Sequence, residues 1–225
     1  RAPRRAARLA RRRPAAAQRP ARDRRAGENV LSGGVRVERG GWLGRRAGRE
    51  RGVKLIPELF KKAGYYTCLG TIGHVAGTIN PKHKGRLGKS DYNFEWDSAV
   101  FDAGEWSGRK KGQPFFAKIC LSGGKARSQA RASKDIPHVE ASKVTLPPYY
   151  PRHPDVLEDW AAYLDTFSLV DIQVGQIVDR LKKEGEFENT VIFFITDHGV
   201  SHARGKQYCY DEGMMIPFFV HAPEG

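Results

Sequence analysis

From Val53 onward, apolar and polar positions recur with periods that predict a succession of helices and strands. Lys54 to Gly64 has the pattern of a short helix, with Pro57 in its first turn and Gly64 as its stop. Tyr65 to Leu69, rich in aromatic and β-compatible residues, predicts a strand, and Pro114 to Leu121 predicts a second, buried one. Between Asp155 and Lys183 the residues Leu157, Trp160, Leu164, Phe167, Val170, Val174, Ile177, Val178 and Leu181 recur every three or four positions. That spacing predicts a long helix with one face on a core, closed by Gly185. Thr190 to Thr196 is almost continuously apolar, the pattern of a strand buried on both faces, and Met214 to His221 predicts a further strand. Helices alternating with apolar strands imply a layered α/β fold with helices over a largely parallel sheet.

Residues 1–52 have no such pattern. They are built from Arg, Ala, Gly and Pro, and of the chain's formal charge of +14 they carry +13. The globular part is therefore nearly balanced, and a basic nucleic-acid-binding face is not expected on it. The segment itself offers too little apolar surface to offset the entropy of ordering its backbone, so composition predicts disorder there. An Arg-rich nucleic-acid arm is the alternative, although it lacks the aromatic interleaving such arms use. The three cysteines, Cys68, Cys120 and Cys209, are too few and too scattered for a disulfide scaffold and are expected to be buried small apolar residues. No run is long enough to span a bilayer, and the basic N-terminal residues precede no apolar signal core.

The chemistry concentrates after the apolar strand at 190–196. Ligands of open α/β sheets gather beyond the carboxyl ends of strands, which is where Asp197, His198 and Gly199 fall. Asp197 offers a hard oxygen and His198 an imidazole nitrogen, and Gly199 lets the backbone bend so that both can face one cation. Standing alone, such a pair is equally an ordinary polar loop. His202, Arg204 and Lys206 follow in the same loop and add three cationic donors, suited to a tetrahedral oxyanion or, equally, to a solvated basic surface.

Five blocks in order resemble the sulfatases of the alkaline phosphatase superfamily, in particular the branch similar to heparan N-sulfatase. They are Ile56 to Thr67, Leu87 to Phe94, Gln113 to Ala117, the helical run Asp171 to Leu181, and Asn189 to Gly199 continuing through Gly205-Lys206 and Tyr210 to Gly213 to Val220. The resemblance implies an alkaline-phosphatase/sulfatase-like layered sheet with flanking helices, present over 53–225 as a partial catalytic domain. It implies that Asp197 and His198 ligate a divalent cation, by family habit calcium, and that Lys206 holds a sulfate oxygen. His198 stands where many sulfatases have Asn, which leaves room for a softer ion. Lys89 and His74 correspond to the basic residues of the family's Gly-Lys-x-His element. Lys125 and His138 lie in the loop that carries another basic residue facing substrate, and His202 and Arg204 are further substrate-binding candidates. The implied partner is a sulfated small molecule or glycan, and the implied setting is periplasmic or secreted.

A sulfatase would also use a formylglycine made from the first residue of Cys-x-Pro-Ser-Arg. That motif is absent from these residues, since Cys68 is followed by Leu-Gly-Thr, and the chain is expected to be inactive or impaired as it stands. A phosphatase or phosphodiesterase of the same superfamily is the alternative enzyme reading. The missing motif belongs upstream of Val53. Codons for Ala2 to Arg8, read one nucleotide earlier, permit Cys-Ala-Pro-Ser-Arg, so residues 1–52 are also readable as an out-of-frame translation of the nucleophile segment. The nucleotide sequence of the locus decides this, because a preceding frame without Cys-x-Pro-Ser-Arg removes the frameshift reading.

Overall fold

Pro57 fixes the backbone for the first turn of helix α1 (Ile56–Lys62), and Glu58 accepts a hydrogen bond from the Leu55 amide, satisfying one of the donors a helix start leaves unpaired. The computed structural model describes residues 53–225 apart from 79–84, 91, 93, 124 and 225, together with the backbone of two short strands further upstream. Those are β1 (Glu28–Leu31) and β2 (Val35–Glu38), an antiparallel pair. The expectations of disorder, of an out-of-frame product and of a nucleic-acid arm fall on 1–52 and otherwise lie outside the described residues. By proximity along the fold the chain divides into two units, Arg1–Arg51 with Asn93–Glu95, and Gly52–Tyr92 with Trp96–Gly225. The second holds the elements that follow.

β3 (Tyr66–Thr71) is the organising strand. It pairs in parallel with β4 (Phe115–Cys120), Tyr66 opposite Phe115 and Thr71 opposite Cys120. On its other side the Leu69 amide donates to the Ala103 carbonyl and the Asp102 amide donates to the Thr67 carbonyl, so residues 102–103 run beside it. Asp102 also accepts from the Thr67 amide and from Lys61 Nζ at 2.6 Å, which ties α1 to the strand. Burial opposes ionisation of Asp102, but the hydrogen bonds from Lys61 and Thr67 prevail and hold its carboxyl below the usual range. The four central residues of β3, Thr67 to Gly70, are buried, as expected of a strand flanked on both sides.

The long periodic segment forms α4 (Pro154–Lys183), within a residue of the predicted start and ending where predicted; Gly185, at φ 71°, follows its last turn. Its burial departs from a single stripe. Trp160, Ala161, Ala162, Tyr163, Asp165 and Thr166 are all buried, whereas Phe167, expected on the core face, is 50% exposed. The reason is that the middle of α4 is enclosed from several directions: Val144 and Leu146 pack there, as do Tyr150 and Val200, and α3 (Arg127–Ala132) lies against it. A second cluster joins the C-terminal part of α4 to β3 and β4, with Leu181, Cys68 and Trp106 at its centre and Phe115, Ile177 and Ile192 around them.

The strands after α4 correct two expectations. β5 (Ile192–Ile195) pairs antiparallel with β6 (Phe218–His221), and among the described residues the strands form separate two-stranded sheets, one parallel and two antiparallel, rather than one largely parallel sheet. The predicted strand at 214–221 starts only at Phe218, because residues 211–214 form the short helix α5 (Asp211–Met214) and Pro217, which has no amide hydrogen to donate, intervenes. Nor is β5 buried on both faces. Phe193 and Ile195, with their partners Val220 and Phe218, form one face of the pair, and all four are more than half exposed. The opposite face carries Ile192 and His221, whose ring stacks on Phe187 at 4.5 Å. The cysteines also differ from one another: Cys68 is buried, Cys120 half-buried and Cys209 exposed. No helix of the described residues is long and apolar enough to cross a membrane.

An ionic staple fastens the end of α4. The Arg180 guanidinium lies 4.2 Å over the Trp106 ring and donates to Glu105, Glu184 and Ser107, while Trp106 Nε1 donates to Glu184 at 2.7 Å. Burial acts to raise both glutamate pKa values, but the Arg180 hydrogen bonds outweigh it, so both are lowered. A depressed carboxylate stabilises the fold above its unfolded pKa and loses that contribution as pH falls through the folded value. Chemical denaturation should therefore show stability falling below about pH 4. Arg180→Ala should cost about 2 kcal/mol at neutral pH and flatten that acid limb, which denaturation at several pH values will measure.

Candidate functional site

Because β3 and β4 are parallel, their carboxyl ends open on the same side, and the loop carrying Lys89 is tied across both. The Gly88 amide donates to the Leu69 carbonyl at 2.7 Å, Lys118 Nζ to the Ser90 carbonyl at 2.5 Å and Cys120 Sγ to the Lys89 carbonyl at 3.2 Å. The close passage depends on Gly88, where an added Cβ would collide with the Gly70 carbonyl.

The loop after β5 is equally tight. The Gly199 amide donates to the Gly213 carbonyl and the Val200 amide to the Glu212 carbonyl, while the Lys206 amide donates back to the Val200 carbonyl at 2.7 Å. A Cβ on Gly199 would overlap the Glu212 carbonyl, so only glycine lets these strands of loop touch. Arg204 and Gln207, on either side of Lys206, have φ of 65° and 77°, the only non-glycine residues in the left-handed region among those described. Such conformations cost of order 1–3 kcal/mol each and persist only where surrounding contacts enforce them.

These loops bring three lysines together. Lys206 meets the amino group of Lys125, which follows β4, and feels the positive charge of Lys89 and the negative charge of Asp197. The Lys206 pKa is lowered, first by its close approach to the Lys125 amino group, then by partial desolvation and the Lys125 charge, with Asp197 acting in the opposite sense. Lys89 and Lys125 are exposed and Lys206 half-buried. Like charges held together from three distant stretches of chain create a local positive potential that a tetrahedral oxyanion relieves.

Asp197 and His198 lie beside this cluster in sequence and face each other, His198 Nε2 being 3.5 Å from Asp197 Oδ1. His198 Nδ1 is 2.8 Å from the Gly199 carbonyl. A carbonyl only accepts, so Nδ1 carries a proton, and Nε2 is the ring nitrogen that faces Asp197. A metal-binding histidine characteristically donates its other nitrogen to a carbonyl in this way. The two donors thus fit a cation, but among the described residues no group of three His, Cys, Asp or Glu is arranged to hold one. Calcium takes six to eight oxygen ligands, so the pair makes only part of a calcium site.

The other candidate residues are engaged elsewhere. His74, in α2 (Ile72–Val75), accepts from the Thr71 amide at Nδ1 and meets the Arg86 carbonyl at Nε2, so both ring nitrogens are used in fixing backbone. His138 bonds the buried Asp165, which also receives Arg131 and the Val139 amide. The His202 side chain is only 6% exposed, stacked on Trp160 at 4.3 Å, with Nε2 2.8 Å from Asp159 and 3.2 Å from Arg127. Desolvation and the Arg127 charge lower its pKa against the opposing pull of Asp159. Arg204 lies 4.0 Å over the Tyr210 ring and 4.8 Å over Tyr149. Asp165 was not singled out from the sequence, although a carboxylate between Leu164 and Thr166 on the buried part of α4 is a detectable anomaly; Arg127, Tyr149 and Asp159 give no such signal. Cys68 has neither exposure nor acidity for nucleophilic work, since burial and then Glu105 push its thiol up to about 12.

The family model for sulfatases matches residues 29–225. The chain belongs to the sulfatase family. Its relatives include the "Ulvan-active sulfatase" of Formosa agariphila, 26% identical over 211 residues, a match covering 76% of this chain and 32% of that protein. The "N-sulphoglucosamine sulphohydrolase" of Homo sapiens is 28% identical over 114 residues, covering 50% of this chain and 23% of that one. The chain spans about a third or less of the length of these relatives. The sulfatase match takes in both glycine-dependent loops. Gly199→Ala should accordingly destabilise this sulfatase-family chain by about 2–3 kcal/mol and release the amides of Gly199, Val200 and Lys206 to hydrogen exchange. Wild-type protection in that variant would show that the loop tolerates the extra methyl group.

Proposed function

We propose that Lys89, Lys125 and Lys206 form the sulfate-binding side of a sulfatase active site acting on sulfate esters or sulfamates of a sulfated glycan or small molecule. The observation that carries this reading is the convergence of three ammonium groups beyond the carboxyl ends of β3, β4 and β5, on a chain whose globular part is otherwise nearly neutral. The relatives named as an ulvan-active sulfatase and an N-sulphoglucosamine sulphohydrolase favour sulfated sugars as the substrate class. Asp197 and His198 contribute two donors to a divalent metal site, calcium or a softer ion, and a cation there would neutralise charge on a bound sulfate. Lys206 holds one sulfate oxygen, with Lys125 and Lys89 sharing the remaining charge. Arg204 and His202 support the loop from its flanks, while His74 fixes backbone and His138 bonds the Asp165 carboxylate rather than sulfate. The layered alkaline-phosphatase-like sheet is the framework in which these loops belong, with 53–225 as a partial catalytic domain. None of the described residues supplies the nucleophile, so the 225-residue chain binds sulfate without turning over an aryl sulfate.

Calorimetric titration with inorganic sulfate should give binding that Lys206→Ala weakens by about tenfold, the scale of one charge-assisted hydrogen bond. Equal affinity in the variant would remove Lys206 from the site. Titration with calcium and with manganese should show weak binding that Asp197→Ala reduces further, and an unchanged isotherm would eliminate the metal assignment.

A further inference from the structure

The loop that carries Lys206 also presents an aromatic surface that sulfate binding does not require. Tyr208, Tyr210 and Tyr149 are 55%, 46% and 39% exposed. Tyr208 and Tyr210 lie nearly parallel, 25° between planes and 6.3 Å between centroids. Arg204 bridges Tyr210 to Tyr149, and Tyr149 Oη donates to Glu212 at 2.7 Å, fixing the outer ring. Cation–π contact, ring stacking and the hydrogen bond together order four long side chains at the surface, where each would otherwise retain its rotamer freedom. The two strained backbone positions, Arg204 and Gln207, bracket Lys206, and Gln207 immediately precedes Tyr208.

We infer that Tyr208, Tyr210 and Tyr149, with Arg204, form a subsite for a pyranose ring of a sulfated oligosaccharide whose sulfate occupies the lysine cluster. The inference rests on the sulfate-binding reading of Lys89, Lys125 and Lys206. The chemistry of the surface supports it. A tyrosine ring gives a flat apolar face for the C–H side of a sugar and a hydroxyl at its rim, and Arg204 offers donors to sugar oxygens or a second sulfate. Scale supports it as well. An extended chain spans at most about 7 Å in two residues and about 14 Å in four, so Lys206 lies within one or two sugar rings of Tyr208 and Tyr210. A small aryl sulfate would leave most of this surface unused, whereas an oligosaccharide would cover it.

The test compares three probes on the full chain: inorganic sulfate, chemically sulfated cellotetraose and unsulfated cellotetraose. The sulfated tetrasaccharide should bind about tenfold more tightly than sulfate, and Tyr208→Ala combined with Tyr210→Ala should abolish that difference while leaving sulfate affinity unchanged. Tyr208→Phe should retain the wild-type preference, since the ring face is kept. Circular dichroism and the sulfate isotherm of the double variant report that it has folded. If the double variant binds the sulfated tetrasaccharide as the wild type does, the subsite is overturned and the lysine reading stands. If Lys206→Ala leaves sulfate binding intact while the tyrosine variants still weaken the tetrasaccharide, the lysine reading fails and the aromatic surface survives. Equal affinity for the sulfated and unsulfated tetrasaccharides overturns the coupling between the two.

Discussion

The site depends on backbone passing over backbone at a distance only a hydrogen side chain permits. At Gly88 the chain slides past the Gly70 carbonyl, and at Gly199 past the Glu212 carbonyl. The first contact keeps the Lys89 loop over the ends of β3 and β4, and the second folds residues 199–213 into a cross-bonded unit that presents Lys206. Three like charges cannot be gathered by their own attraction, so the framework that gathers them must be stiff for other reasons. Here the stiffness comes from paired amides and carbonyls, with Trp160, Tyr150 and His202 packed beneath the loop.

A division of labour among the charged residues follows. Arg180, Glu105, Glu184 and Trp106 form one hydrogen-bonded network, and Arg131, His138 and Asp165 form another on the middle of α4. Each carboxylate in these networks receives more than one donor, which is how partly buried ions are made tolerable. The lysine cluster is different in kind. Around Lys206 it sets cation against cation, with Asp197 opposing them. Networks of the first type hold the fold, and in the proposed function a cluster of the second type receives an anion.

Much of the architecture was legible because its signals are local. The period of α4, the caps of α1, and the β-rich runs that became β3 and β4 are each written in a few consecutive residues. Asp197, His198 and Lys206 stand out in the sequence through the order of motifs around them, and the structure puts the first two just beyond the strand end at Ile195. What escaped was whatever depends on neighbours distant in sequence. Periodicity assigns Phe167 to a core face, but only the surrounding elements determine which sides of α4 are enclosed. An apolar strand such as 192–195 reads as doubly buried whether or not anything lies on its second face. The histidines illustrate the same limit: His74, His138 and His202 look alike as basic residues, and differ because a carbonyl, a buried carboxylate or a tryptophan happens to wait beside each one.

The open face of the β5–β6 pair has a consequence in solution rather than in chemistry. Phe193, Ile195, Phe218 and Val220 stand together on one side of a sheet that has two strands among the described residues, a contiguous greasy patch. Surfaces of that kind recruit one another, so this patch favours self-association of the chain. Preparations will be most tractable at low protein concentration, and replacing Phe193 and Phe218 with threonine would be the economical route to a well-behaved sample, because threonine keeps strand geometry while making the patch wettable.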